Sequence, residues 1–436
     1  MNELKELPEG WKWVILKDIS ESIQYGYTES SSKEPIGPKF LRITDIQENK
    51  VFWESVPFCK IDEVSINRYL LKDGDLVFAR TGATVGKSFL IKGLIPKAVF
   101  ASYLIRVRVN KEINEKFLSN FFYSSNYWSQ ITKGQVGIGQ PNVNGTTLGK
   151  LIIPLPPLPT QQTIVSKIEE LFSELDKGVE NLKTAQQQLK VYRQAVLKWA
   201  FEGKLTNGIN NDANDLSDEK DLGMVAEPGA VYQVCNSNKI QIEWKYKRLS
   251  DMFNFIGGGT PSKAVKSYWD GSIPWASVKD IKGDYLKSTQ DFITERGLEN
   301  SASNLAEIND VILITRISPG KVIIANIRSA INQDLKILKP KFKTTPKFIK
   351  YFFNAIERDC IKIASGTTVL GITLNNLNEL LMPNLSLDEQ SQIVQEIEKR
   401  LSVADKMEES IQQSLLKAES LRQSILKKAF EGGLVK

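Results

Sequence analysis

The chain has 436 residues, 41% of them hydrophobic and 25% charged, which is typical of a soluble globular protein with two or more domains. It contains no histidine, which excludes Ser-His and Cys-His nucleophiles, histidine-bound metal nucleases and nearly all zinc hydrolases. The net charge of +6 is compatible with nucleic-acid binding, although many basic proteins bind none.

Nothing in the sequence predicts a membrane span or an exported protein. No apolar run approaches the roughly 18 residues that cross a bilayer. The N-terminus lacks the basic and apolar regions of a signal peptide. The three cysteines are too far apart for a Cys-x-x-Cys pair, which suits a reducing compartment. We therefore expect a cytoplasmic protein with no membrane partner.

The first 155 residues predict a mixed α/β domain that ends in an extended segment. Strand-like runs rich in β-branched and aromatic residues occupy residues 75–79, 89–91 and 103–109. A short helix is predicted over residues 115–131. Prolines recur through residues 151–159, and because each fixes φ and restricts its predecessor, this stretch must be extended.

A long helix is predicted next, with Thr160 as its N-cap and Gly203 at its C-terminal end. Apolar side chains recur at alternating steps of four and three residues from Ile164 to Trp199, with Gly178 as the one interruption. A heptad seam of roughly 40 residues, about 60 Å at 1.5 Å per residue, is too long to pack on one small domain. It predicts pairing with a second long helix.

The second half begins after a polar linker at residues 207–240. The first part of this linker, residues 207–223, has five acids and one lysine, a net charge of −4, which leaves +10 for the rest of the chain. A second α/β domain follows, with strand-like runs at 310–314 and 322–327 and a short helix at 346–360. A second heptad helix starts at a Ser386–Glu389 capping box, includes Met407 and Leu421 in its seam and ends at Gly432.

The two halves are copies of one plan. Residues 193–205 match residues 422–434 at an offset of 229. The same offset aligns Pro154, Leu158, Gln161, Ile164, Val165, Ile168 and Glu169 with Pro383, Leu387, Gln390, Ile393, Val394, Ile397 and Glu398. Upstream the match is looser, with Asp75–Arg80 resembling Asp310–Arg316. The predicted segments are therefore two α/β domains (1–155 and 241–384), two helical spacers (156–206 and 385–436) and the linker (207–240).

No convincing catalytic set is present. Residues 81–88 resemble a phosphate-binding P-loop, but Thr81 stands where the motif needs glycine and a strand follows in place of a helix, so ATP binding is not predicted. Asp45, Glu48 and Lys50 only superficially resemble a nuclease site. No glycine loop precedes a helix in a way that suits S-adenosylmethionine or a dinucleotide. A metal or cofactor in this chain is therefore not expected.

Binding chemistry remains. Both divergent domains carry residue types that read base edges or contact phosphates, because arginine forks suit guanine, Asn and Gln suit adenine, and lysines and hydroxyl groups bind phosphate oxygens. The candidates in the first domain are Arg42, Thr44, Arg80, Lys87, Gln140, Asn142, Asn144 and Thr146. Those in the second domain are Lys263, Lys279, Arg316, Lys321, Thr367 and Thr368. For Arg80, Lys87, Arg316 and Lys321, which lie on predicted turns between strands, a solvated hairpin is the competing explanation.

The order of these parts resembles the specificity subunits of type I restriction–modification systems. The stretch from Gly139 to Gln162, Gly-Gln-Pro-Asn-Val-Asn-Gly through Pro-Leu-Pro-Pro-Leu-Pro-x-Gln-Gln, carries the resemblance together with a long helix that ends in Ala-Phe-x-Gly-x-Leu. The resemblance covers essentially the whole chain. The second copy lacks the Gln-Pro-Asn-Val stretch, which leaves the loop contacts of the second domain less defined.

The resemblance implies an α+β fold in which two mixed α/β target-recognition domains are separated by two long antiparallel coiled-coil helices in a pseudo-twofold repeat. Each domain then reads one half of a split duplex DNA site. Two modification (methylase) subunits dock on the chain and use S-adenosylmethionine, and restriction/motor subunits use ATP and Mg²⁺. The chain itself is a non-catalytic subunit without a cofactor.

Two alternatives stay open at the level of the sequence. One is a single-chain nuclease or methyltransferase, which cleavage or methyl transfer by the isolated chain would reveal. The other is a helical scaffold whose β-rich domains bind protein, which competition by a defined duplex would exclude.

Overall fold

The computed structural model describes residues 6–47, 49–82, 84–133, 143–205, 244–366 and 368–435. The chain forms two compact units. Unit 1 comprises residues 1–184 and 411–436, and unit 2 comprises residues 185–410. Each unit therefore contains one α/β domain and a piece of each long helix. The domain boundaries predicted from the repeat divide the chain differently, and they stay a prediction.

Unit 1 is a β-rich domain with short helices. Its strands are β1 (Lys12–Ile15), β2 (Ser20–Tyr25), β3 (Ser31–Ser32), β4 (Lys39–Leu41), β5 (Ile46–Gln47), β6 (Lys50–Val51), β7 (Phe58–Cys59), β8 (Leu76–Ala79), β9 (Ser88–Leu90), β10 (Ala98–Phe100), β11 (Leu104–Val109) and β12 (Ile152–Leu155). Its helices are α1 (Glu63–Tyr69), α2 (Glu115–Phe121), α3 (Ser125–Lys133), α4 (Gly145–Gly149) and the first part of α5 (Leu158–Phe201).

Unit 2 repeats this plan. Its strands are β13 (Tyr246–Arg248), β14 (Phe253–Gly257), β15 (Trp269–Ala276), β16 (Tyr285–Leu286), β17 (Asp291–Ile293), β18 (Asn304–Ala306), β19 (Val311–Ile314), β20 (Val322–Ala325), β21 (Ser329–Ile331), β22 (Leu335–Pro340) and β23 (Leu381–Pro383). Its helices are α6 (Leu249–Met252), α7 (Glu295–Glu299), α8 (Pro346–Ile363), α9 (Leu374–Glu379) and α10 (Leu387–Phe430), whose last part belongs to unit 1.

The sheets show the repeat where the sequences diverge. The antiparallel order β2-β11-β8-β9 in unit 1 has its counterpart in β14-β22-β19-β20 of unit 2, where β16 extends the sheet in parallel to β20. The second sheets are β10-β4-β7-β3 and β17-β15-β21-β18, each with one parallel pair, β10 with β4 and β21 with β15. The small pairs β1-β12 and β13-β23 also correspond.

The ends of the long helices close the cores. In unit 1, Phe430 at the end of α10 packs edge-on against Phe117 and Phe121, with ring centroids 5.2 and 5.3 Å away. In unit 2, Phe201 at the end of α5 packs against Phe348 and Phe352 at 5.4 and 5.5 Å. The repeated Ala-Phe-x-Gly-x-Leu motif therefore completes a hydrophobic core at the end of each helix. The end of α10 lies in the core of the first α/β domain, and the end of α5 lies in the core of the second.

The two long helices run antiparallel, as predicted. In unit 1, the guanidinium of Arg422 contacts the Asp176 carboxylate and lies 4.4 Å from the Phe172 ring. In unit 2, Arg193 binds Asp405 at 2.6 Å and Glu408 at 2.8 Å. The partner's number falls as the number along α5 rises, which defines the antiparallel direction.

Local signals placed the ends of the helices with mixed success. The Ser386–Glu389 capping box is confirmed, because the Ser386 N–H and hydroxyl donate to the Glu389 carboxylate at 2.8 and 2.7 Å. Gly203 and Gly432 end the helices at φ of 72° and 77°, also as predicted. Thr160 as N-cap is wrong, since α5 already begins at Leu158. The prolines at 156, 157 and 159 are compatible with this early start of the helix. Proline lacks a backbone N–H, but the N–H groups of the first helical turn have no hydrogen-bond partner within the helix in any case.

The predicted seam is wrong at three positions, and the predicted helix at 115–131 is broken. Trp199, Met407 and Leu421 are 39%, 53% and 51% exposed. A straight helix drifts about 20° per heptad from a strict 3.5-residue repeat, so the buried face rotates away from the predicted one. The 115–131 helix divides into α2 and α3 because the buried Ser124 hydroxyl accepts the Tyr127 N–H at 3.3 Å and starts a new helix. Among the described residues, no helix is both long and apolar enough to cross a bilayer.

Candidate nucleic-acid interface

Three loops meet at the end of β8 in unit 1 and at the end of β19 in unit 2. The Arg80 N–H donates to the Tyr103 carbonyl at 2.9 Å, and the Arg80 carbonyl accepts the Val143 N–H at 3.0 Å. In unit 2, Thr315 makes the same two bonds, both at 2.8 Å, with Asp334 and Ile372. Backbone hydrogen bonds thus hold the same loops together in both units, whatever side chains they carry.

These bonds correct the alignment made from the sequence. Arg80 corresponds to Thr315. Arg316 lies one position later, where its backbone forms an isolated antiparallel β-bridge with Gly371. The cause is the length of the turn that follows β8 and β19. In unit 1 the Gly86 N–H donates to the carbonyl of Ala79, seven residues earlier. In unit 2 the Gly320 N–H donates to the carbonyl of Ile314, only six residues earlier. Both glycines have positive φ, 81° and 94°.

Arg80 belongs to a cluster with the loop at residues 143–147. Its guanidinium carbon lies 5.0 Å from the centre of the Tyr25 ring, a cation–π contact. The Tyr25 hydroxyl accepts the Gly145 N–H at 2.9 Å. The exposed Asn144 caps α4 by accepting the Thr147 N–H at 2.8 Å, and Thr146 is exposed beside it. The structure therefore brings Arg80, Asn144 and Thr146 together around Tyr25.

Arg42 and Thr44 lie on a 3-10 turn that unit 2 repeats. Arg42 donates to both Asp45 carboxylate oxygens, at 3.1 and 2.7 Å, and the hydrogen bond raises the pKa of this guanidinium. Ser277 and Asp280 form the same capping box in unit 2, which makes Lys279 the counterpart of Thr44. A DNA contact by Arg42 must compete with the ion pair to Asp45.

In unit 2, a concavity of about 610 Å³ brings Lys263 and Lys279 together. Its lining residues are Thr260, Lys263, Trp275, Ser277, Lys279, Asp291, Asn332 and Gln333. Lys279 binds Asp291 at 2.6 Å, and this hydrogen bond raises the pKa of its ammonium group. Arg316 lies next to the same loop, 3.4 Å from Asp334.

The remaining candidates are more scattered. Lys87 is exposed and lines a separate cavity of about 340 Å³ that also includes Ile43 and Thr84. Lys321 and Thr368 are exposed on their loops. Gln140, Asn142 and Thr367 lie outside the described residues.

Sequence reasoning missed Gln333, Thr260 and Tyr25. One usable signal was a glycine before each of two threonines, Gly26 before Thr28 and Gly258 before Thr260. A Cβ would lie 2.1 Å from the Ala101 carbonyl oxygen at Gly26, and 2.2 Å from the Ile331 carbonyl oxygen at Gly258. Only glycine permits this close approach of two loops, so Gly258 points to Thr260 as part of the loop cluster, whereas neither glycine points to Gln333.

The residues kept in both halves attach the helices to the domains. The buried Gln161 accepts the Asn114 N–H at 2.8 Å and donates to the Pro156 carbonyl, and Gln390 donates to the carbonyls of Lys343 and Leu385. Ion pairs at corresponding positions, 2.9 and 2.7 Å long, join Lys116 to Glu169 and Lys347 to Glu398. The repeat therefore maintains two equivalent junctions, while the exposed loop side chains differ.

The acidic residues that superficially resembled a nuclease site do not form one among the described residues. Asp45 is engaged by Arg42, and Glu48 lies outside the described residues. Within the described ranges, no three acidic or cysteine side chains are grouped so that they could hold a metal ion.

Comparison with known proteins identifies the family. The sequence pattern of the type I restriction modification DNA specificity domain matches residues 8–184 and again residues 241–417. The chain belongs to this family. It is a specificity subunit of the type I restriction–modification class with two DNA-recognition domains, and it is the non-catalytic recognition component of such a complex. The predictions of family, fold class and non-catalytic role are confirmed.

Several individual relatives are distant but cover almost the whole chain. The EcoKI specificity subunit of Escherichia coli is 24% identical over 457 aligned positions, which cover 98% of this chain and 90% of that subunit. A chain solved in work on complex assembly and conformational transition of the type I R-M system covers 99% of this chain and 100% of its own, with a TM-score of 0.70 and 20% identity. The HsdS subunit of Thermoanaerobacter tengcongensis covers 99% of both chains, with a TM-score of 0.59 and 20% identity. These two structures share the fold of this specificity subunit.

Proposed function

We propose that each recognition domain of this specificity subunit reads one part of a bipartite duplex DNA site through its loop cluster. The observation that carries the proposal is the shared backbone frame with different side chains: Arg80 and Thr315 make the same backbone bonds, as do Tyr103 and Asp334. A backbone frame that stays the same while the side chains on its loops change is what two different half-sites require. The domains remain similar in fold but present different donors and acceptors.

The side chains on these loops suit the major groove. Arginine forks bind guanine, Asn and Gln bind adenine, and Lys, Thr and Ser reach phosphate oxygens. In unit 1 the readers are proposed to be Arg80, Asn144 and Thr146, and in unit 2 Lys263, Lys279 and Arg316. Lys87, Lys321, Thr44, Arg42, Gln140, Asn142, Thr367 and Thr368 remain candidates of the same kind.

Two modification subunits are the proposed partners, joined in the full complex by restriction/motor subunits. The support is the pair of equivalent helix–domain junctions, because two similar surfaces on one chain can bind two copies of one partner. S-adenosylmethionine then belongs to the modification subunits, and ATP and Mg²⁺ belong to the motor subunits. Because the proposed partners act on DNA inside the cell, we propose that the complex lies in the cytoplasm.

Exchange of one domain tests the assignment of half-sites. When residues 1–150 are replaced by the equivalent domain of a relative, only one half-site is expected to change, because unit 2 keeps its own loops. Methylation mapping of host DNA with the parent and the exchanged subunit measures both half-sites. If both of them change, or if neither does, the proposal of one half-site per domain is wrong.

The affinity of the complex for DNA is expected to fall steeply with salt. The chain outside the acidic linker segment carries a net charge of +10, and each phosphate neutralised by Lys or Arg releases counterions. A plot of log affinity against log salt between about 50 and 200 mM should have a clearly negative slope, near −0.9 for each phosphate contact. Lys263→Ala should make the slope less negative by about 0.9 at most, the contribution of one phosphate contact. A slope close to zero for the parent complex would rule out phosphate contacts as a main source of affinity.

A further inference from the structure

The loop between β21 and β22 holds Gln333 between two fixed neighbours. Asn332 is 5% exposed, and its N–H donates to the Ala276 carbonyl at 2.9 Å. The Asp334 N–H donates to the Asn332 side-chain carbonyl at 3.1 Å, and the Asp334 carbonyl accepts the Thr315 hydroxyl at 2.9 Å. The backbone on both sides of Gln333 is therefore restrained, although its side chain is exposed.

The side chain of Gln333 is also oriented. The Thr260 hydroxyl donates to Gln333 Oε1 at 2.5 Å. This bond uses one lone pair of the oxygen. No hydrogen bond to another described residue uses the Nε2 donors, so the amide can present a donor and an acceptor side by side. An exposed amide fixed in this way is suited to a ligand with a matching pair of groups.

The residues around Gln333 suit a nucleic acid, whose phosphates would meet the basic side chains and whose base edge would meet the amide. Gln333 and Thr260 line the same concavity as Lys263 and Lys279, and Arg316 lies beside the loop through Asp334. In such an arrangement, the lysines and the arginine can bind phosphate groups of the DNA backbone while the amide between them contacts the edge of a base.

Building on the proposed function, we propose that Gln333, positioned by Thr260, reads an adenine in the half-site of the second domain. Adenine presents N6–H as donor and N7 as acceptor in the major groove, which the Oε1 and Nε2 of glutamine match in a bidentate pair. Thr260 is the positioning residue, and Gln333 makes the contact with the base.

The contact is specific to one half-site. The Leu335 N–H donates to the Asn332 carbonyl, and in unit 1 the Leu104 N–H donates to the Ala101 carbonyl at 2.9 Å, so Ser102 occupies the position of Gln333. A serine hydroxyl cannot make the bidentate contact. A change at Gln333 is therefore expected to leave the first half-site untouched.

The test uses the full chain in complex with its methylase partner. The site is first obtained by methylation mapping, and binding is then measured to duplexes that carry every single base-pair substitution in both half-sites. Gln333→Ala is expected to lower the preference for adenine at one position of the second half-site by about ten-fold or more, with the other positions unchanged. Gln333→Glu should also abolish this preference, because a carboxylate has no donor for N7. Thr260→Val should weaken it at the same position only.

Asn326→Ala is the matched control, since Asn326 is an exposed amide directly after β20, in the loop that leads into β21, whereas Gln333 lies in the loop that leaves β21. It should leave the profile unchanged. The inference is overturned if Gln333→Ala leaves every preference intact, weakens all duplexes equally, or alters a G·C position or the first half-site. If the parent complex itself recognises no bipartite site, the proposed function fails, which is a separate result.

Discussion

Replacing Phe430 with alanine is expected to destabilise unit 1 by about 3–5 kcal/mol, the usual cost of removing a buried phenylalanine. Phe430 is 4% exposed, and its ring packs against Phe117 and Phe121 of α2. The loss should appear as early unfolding in urea. Because a chain with two units need not unfold in one step, hydrogen exchange should be followed for each unit.

The location of the effect is the sharper part of this prediction. Protection should fall in α2 of unit 1, although Phe430 lies more than 300 residues away in sequence. Phe201→Ala should instead loosen α8 of unit 2, where Phe201 contacts Phe348 and Phe352. Leu421→Ala is the control: this side chain is 51% exposed on the same helix as Phe430, and its loss should cost under about 1 kcal/mol. If Phe430→Ala changed only unit 2, the assignment of this helix end would be wrong.

Replacing Asp75 with alanine is the second change for which a large effect is expected, about 3–5 kcal/mol, because it removes the carboxylate that faces the buried Arg106 and binds the partly buried Arg108. Asp75 is 1% exposed and accepts bonds from Arg108 at 2.7 and 2.8 Å. Arg106, 3% exposed, lies 3.9 Å from the same carboxylate, and burial lowers the pKa of this guanidinium to about 10. Without Asp75, Arg108 loses two charged hydrogen bonds and Arg106 loses its nearest carboxylate, which weakens the packing where β8 meets β11.

Two variants calibrate this second prediction. Asp75→Asn keeps an acceptor and should be intermediate, which is informative even if the alanine variant does not fold. Asp310→Ala removes the counterpart in unit 2, where Lys339 is 36% exposed, so the lysine can reach water and the cost should be smaller. Urea unfolding gives the order of stabilities. Equal midpoints for Asp75→Ala and the parent chain would show that the contacts of Asp75 with Arg106 and Arg108 do not stabilise the chain.

The same substitution is expected to affect DNA binding. Since β8 leads into the loop that carries Arg80, the affinity of the methylase complex for DNA should fall together with stability.

The helix ends and the loops have different roles in this architecture. Phe430 and Phe201 make the last turn of each helix part of a core, whereas Arg80, Lys279 and Gln333 remain at the surface. A substitution in the first group acts through folding, and a substitution in the second should act on recognition alone. Stability and base preference, measured on the same variants, therefore separate the two roles.

The sequence by itself determined the repeat, the family, the long helices and the Ser386–Glu389 cap. These features depend on local order, because a heptad, a capping box or a motif at a fixed offset is complete within a short stretch of chain. The same local reasoning also located most loops on which the candidate residues lie. It could not show that Lys279 is the counterpart of Thr44, since the residues around them differ and only the shared turn relates them.

The tertiary structure alone decided which loop residues come together and which core the end of each long helix enters. A turn shorter by one residue moved Arg316 away from the position of Arg80, and the shared backbone hydrogen bonds show which residue takes that position instead. Gln333 became a candidate because Thr260, 73 residues earlier, holds its amide. Likewise, Phe430 enters the core of unit 1 through contacts that span most of the chain. Such pairings follow from the packing of distant segments, whose free energy is set by the fold as a whole and not by the residues next to each partner.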